Sequence, residues 1–106
     1  VLQESASHST DIDKTISFIE SKRSISIFFN NLFNHANKKI ASKINDKSYW
    51  KMFETYLMAY RLENAIELYN SHCKQFTLAH KARGFVLLHF SNYRKKSCER
   101  WRMRKI

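Results

Sequence analysis

Apolar residues return along this chain every three or four positions, the spacing of one helix face. Ile12, Ile16 and Ile19 start the pattern, and Ile25, Phe28, Phe29, Leu32, Phe33, Ala36, Ile40 and Ile44 carry it on. "SISIFF" (24–29) alternates Ser and Ile as a half-buried strand does. The wider window is helical, and a lone strand would have no partner elsewhere in the sequence. Tyr49, Met52, Phe53, Tyr56, Leu57 and Tyr60 share a further face, continued by Ala65, Leu68, Tyr69 and His72. The sequence therefore predicts an all-α chain. Thr10 followed by Asp13 predicts a capping box at a helix start, which leaves 1–10 as a frayed polar N-terminus and 11–106 as a helical segment. "INDKS" (44–48) is the best candidate break, because Asn45 and Asp46 favour turns. Gly84 lies inside a helical pattern and need not mark a turn.

Composition changes the picture from several helices to one. The 106 residues hold one Gly and no Pro, where ordinary usage gives roughly seven and five. These are the common turn-makers, so their shortage predicts few turns and one long, largely continuous helix, bent if anywhere near Asn45–Asp46 or Gly84. Some 95 helical residues would reach roughly 140 Å. The polar start, without Met, reads as an internal boundary of a longer chain.

Charge narrows the partner. A net +10 calls for an acidic one: nucleic acid, an anionic membrane surface or an acidic protein. Aromatic content of 14% excludes a disordered basic tail, and no uncharged apolar run is long enough for a transmembrane span. Cys73 and Cys98 are read as reduced thiols. His72, His80 and His89 lie near Cys73, but no second pair at zinc-ligand spacing accompanies them, so no metal or cofactor is expected. Without a phosphate loop, a nucleophile elbow or paired carboxylates, the chain is not expected to be an enzyme.

One stretch returns in pattern. "MFETYLMAYR" (52–61) and "FVLLHFSNYR" (85–94) both open on two apolar residues and close on Tyr-Arg. The spacing resembles the centrin-binding repeat of the Sfi family, filament proteins of centrosomes and of the yeast spindle-pole-body half-bridge. In the unit at 44–61, Ile44, Met52, Phe53, Leu57, Tyr60 and Arg61 take the motif's places. In the unit at 77–94 they are Thr77, Phe85, Val86, Phe90, Tyr93 and Arg94. A weaker unit at 19–36 uses Ile19, Ile27, Phe28, Leu32 and His35. The resemblance implies a scaffold helix clasped by acidic EF-hand proteins, more than one per chain if each unit takes one, with any calcium on the partner. It also implies a cytoplasmic, cytoskeletal location.

Two other readings stay open. "YRLENAIELYN" resembles the centre of a pentatricopeptide or tetratricopeptide hairpin, which would turn near Tyr60 and bind single-stranded RNA in a mitochondrial or nuclear setting. The same apolar stripe also suits the core of a small basic helical bundle acting as an interaction domain. The basic end, "YRKKSCERWRMRKI", sets Trp101 among cations, where it could stack on a base.

Overall fold

The structure, a computed structural model, describes the backbone of residues 2–104 and the side chains of residues 11–103. Five helices follow one another: α1 (Leu2–Phe33), α2 (Lys38–Met58), α3 (Leu62–His72), α4 (Leu78–His89) and α5 (Ser91–Arg104), with a 3-10 turn at Cys73–Gln75. They pack into a bundle of 48 × 31 × 26 Å. The single continuous helix expected from the shortage of Gly and Pro is thus overturned, and the bundle alternative is the architecture observed.

The turns are made without those residues. Asn34–Asn37 closes the first hairpin: His35 and Ala36 take left-handed backbone, with φ of 56° and 53°. The Ala36 N–H donates to the Asn30 carbonyl at 3.1 Å. The buried Asn30 amide donates to the Asn37 carbonyl at 3.0 Å, and Asn37 then caps α2 by accepting from the Lys39 and Ile40 amides. The second turn is at Tyr60, φ 60°. Its N–H donates to the Leu57 carbonyl, and the Arg61 N–H donates to the Tyr56 carbonyl. That pairing is a Schellman close, in which Gly is the usual left-handed residue. Thr77 caps α4 by accepting from the His80 amide, and Phe90 alone separates α4 from α5.

The expected break at 44–48 is continuous helix inside α2. Asp46 is buried there for a different purpose. Its carboxylate accepts the Thr77 N–H at 2.8 Å and meets His80 Nδ1 at 2.9 Å, placing a negative charge at the positive end of α4. Since a carboxylate only accepts, Nδ1 carries the proton. The capping box expected at Thr10 and Asp13 rests on Thr10, whose side chain lies outside those described; α1 is already helical there. Asp13 instead pairs with Arg61, 2.8 Å away.

α2 is the central element. α1 runs antiparallel to it, as Arg23 beside Asn45 and Asp13 beside Arg61 show. α3 returns along another side, with His72 stacked on Tyr49 at 3.9 Å and Tyr69 against Phe53. α4 brings His80 flat onto Trp50 at 4.3 Å. α5 reaches the far end of α2, where Arg102 donates to the Met58 carbonyl. Phe53, Ala65 and Leu87 are fully enclosed. Gly84 faces Tyr69 of α3 and Trp50 of α2. A Cβ there would stand 2.5 Å from the Tyr69 ring and 3.5 Å from Trp50, so the lone glycine serves packing and not a turn.

Candidate interaction surface on the first hairpin

α1 carries apolar residues on two opposite sides. Ile16, Ile19, Ile27 and Asn30 face the bundle, and of these Ile19 and Asn30 are buried. On the outer side, Phe18, Ile25, Phe28, Phe29, Leu32 and Phe33 are 49–67% exposed. Their rings touch one another: Phe28 meets Phe29 edge-on and Phe29 stacks on Phe33, both at 5.8 Å. A helix that is apolar all round is normally enclosed, and one that leaves so many large side chains in contact with water marks a docking surface.

Beside this strip runs a line of cations. Lys39, Lys43, Lys47 and Lys51 recur every fourth residue of α2 and are all exposed. The one acidic residue between them, Asp46, is turned to α4. The ion pairs seen among the described residues are made by Arg23, Arg61 and His80, so this row is not neutralised by them. A groove of about 630 Å³ lies between α1 and α2, lined by Phe18, Ile19 and Lys22 of α1 and by Ile44, Lys47 and Lys51 of α2. Lys22 lies over the Phe18 ring at 5.6 Å. Lys22, Ser26, Phe29 and Phe33 fall at i, i+4, i+7 and i+11, one side of α1. Cationic and aromatic residues therefore share one side of the hairpin.

The residues expected from the repeat are scattered over several surroundings. Met52, Phe53 and Leu57 are core, as is Ile19. Ile44, Ile27 and Val86 are half-buried. Tyr60 is exposed at its turn, with Arg102 over its ring at 4.5 Å, and Arg61 holds Asp13. Thr77 is a helix cap. Phe85 packs on His89 at 4.2 Å, Phe90 ends α4, and Tyr93 is exposed on α5. Arg94 donates to the Leu87 and Leu88 carbonyls, closing the end of α4. Phe28, Leu32 and His35 sit exposed around the end of the first hairpin. The two returning stretches are not equivalent in three dimensions: Tyr60 makes a turn, while Tyr93 lies inside a helix. Leu57, Tyr60 and Arg94 do meet, around a cleft of about 270 Å³ with Cys98 and Arg102. Burial pushes the Cys98 thiol above its ordinary range, which makes it a poor nucleophile. Trp101 is buried, with Arg83 over its ring, and so is not placed to stack on a base.

Sequence reasoning found the apolar outer strip of α1 but assigned it to a core or a repeat. The lysine row is equally visible at i+4 spacing, but a net charge does not show it. Among the described residues, no three His, Cys, Asp or Glu side chains gather as a metal site, and no helix is long and apolar enough to cross a membrane. Comparison with protein-family models, curated proteins and solved structures finds no match.

Proposed function

We propose that this chain is a non-enzymatic docking module, a basic helical bundle that binds an anionic partner on the exposed side of the α1–α2 hairpin. One observation carries the reading: Phe18 of the aromatic strip shares a groove with Lys22, Lys47 and Lys51, on a hairpin whose inner faces already form a core. The apolar strip supplies burial and the lysines supply attraction and orientation. An acidic protein of EF-hand type is one such partner. It would take Ile25, Phe29 and Leu32 from one side only, because α2 occupies the other side of α1.

The turn at Tyr60 favours a second reading. Helical-hairpin repeats turn there, α2 and α3 form such a hairpin, and Ala65 is the small residue enclosed between them. On that account the basic surface holds single-stranded RNA. Location follows the partner, cytoskeletal for an EF-hand protein and mitochondrial or nuclear for RNA.

Titrating the whole chain with polyglutamate and with a uridine homopolymer tests the proposal. Replacing Lys39, Lys43, Lys47 and Lys51 together by Gln should weaken whichever anion binds by at least about tenfold. RNA binding should also fall steeply with salt, through counterion release. Lys95→Gln with Lys96→Gln is the control on α5. If the control carries the loss and the hairpin variant does not, the site is not on the hairpin and the proposal fails.

A further inference from the structure

We infer that the partner of the α1–α2 hairpin is an anionic membrane surface, into which the end of the hairpin inserts its aromatic side chains. This rests on the docking role proposed above and names its occupant.

Three features point to a bilayer. The first is shape. α3 and α4 meet α2 at Asp46 and Tyr49, through Thr77, His80 and His72, and α5 meets it at Met58, through Arg102. Before Asp46, residues 31–40 are all exposed, while Ala41, Ile44 and Asn45 are half-buried. The end of the hairpin therefore projects from the bundle, as an inserting element must. A projecting apolar wedge suits a yielding surface, whereas a protein partner would have to supply a matching groove.

The second is the order of side chains along the projection. Phe28, Phe29, Leu32 and Phe33 gather where α1 ends. Lys38 and Lys39 stand beside them at the start of α2, Lys43, Lys47 and Lys51 lie behind along α2, and Lys22 is across the groove. Apolar groups at the depth of the acyl boundary and flexible lysines at headgroup height are the layering of an interfacial helix.

The third is that only one side is offered. α1 is packed on α2, so nothing can encircle it without opening the core. A flat surface needs no more than the one side. A second copy of this chain would have to bring its own +10 charge against the same lysines, and RNA, whose bases stack on aromatic faces, makes no use of the exposed Leu32.

The test uses the whole chain and vesicles of phosphatidylcholine alone or with roughly a third phosphatidylserine. Juxtamembrane lysines each contribute about fivefold to partitioning onto anionic lipid. The chain should therefore co-sediment with the serine-containing vesicles and not with the neutral ones. Replacing Lys39, Lys43, Lys47 and Lys51 by Gln should lower partitioning about a hundredfold or more. Phe29→Ser with Phe33→Ser, at side chains already exposed, should leave the thermal melt unchanged and weaken vesicle binding at least about tenfold. Phe29→Trp should shift its emission to the blue on binding.

Equal binding to neutral vesicles, or no loss in either hairpin variant, overturns the inference. So does lysine-dependent adsorption with no blue shift, which would be attraction without insertion. Dimerisation relieved by the Phe variants, with vesicles ignored, would assign the strip to self-association. If vesicles are ignored while polyglutamate or the homopolymer binds through the hairpin lysines, the lipid assignment falls and the docking role stands.

Discussion

At the scale of single residues, Tyr60 shows how a turn is made where no glycine is available. A side chain in left-handed backbone costs about 1–2 kcal/mol. The ring recovers part of that by lying under Arg102, a contact worth about 0.5–1 kcal/mol at an exposed site. The strain is the larger quantity, so Tyr60→Gly should stabilise the bundle by up to about 1 kcal/mol. Denaturant midpoints of the two chains check this, and a loss of more than about 1 kcal/mol would mean that the Arg102 contact outweighs the strain. Glu20 and Arg23 give the acid side. Their hydrogen bond holds the Glu20 carboxyl below its usual range. A depressed carboxylate stabilises the fold above its unfolded pKa, and that contribution disappears as pH falls through the folded value.

At the scale of elements, the helical periodicity was legible and the breaks were not. The bands of Ile, Phe and Tyr gave an all-α chain because burial enforces a 3.6-residue period whatever the topology. Most turns were hidden because they use neither Gly nor Pro; the one near Tyr60 was legible only through the likeness of "YRLENAIELYN" to a helical hairpin. Here His35, Ala36 and Tyr60 accept positive φ, while Asn37 and Thr77 act as caps. Asp46 misled in the opposite direction. Its preference for turns suggested a break, but its carboxylate is used across space, on an α4 that begins 32 residues later. Asp46→Ala removes an acceptor from the buried link between α2 and α4 and should cost about 1–3 kcal/mol. Asp46→Asn keeps an oxygen for the Thr77 N–H and should cost less. Hydrogen exchange at α4 should rise in Asp46→Ala; an unchanged α4 with full stability would show that the bridge is dispensable. The lysine row and the aromatic strip were each readable by spacing. Their shared side was not, since it depends on how α1 lies against α2.

At the scale of the whole molecule, shape separates the bundle from a rod. The Cα radius of gyration is 15.0 Å, above the roughly 13 Å of a compact domain of this length, as a projecting hairpin requires. A rod of roughly 140 Å would lie far outside it. Small-angle scattering of the isolated chain should return a value near 15.0 Å, with a single cooperative melt. A much larger radius, or a gradual non-cooperative loss of helix, would contradict the bundle.

The central place of α2 also has a meaning in time. During synthesis α2 is complete about 45 residues before α5, the helix that covers its far end around Leu57 and Met58. At about 5–20 residues per second the nascent chain spends several seconds with that end of α2 uncovered. Leu57 and the aromatic end of the first hairpin are then exposed together. The ribosome-bound intermediate is thus stickier than the finished protein, and the interval before α5 emerges is when a chaperone would have most to hold.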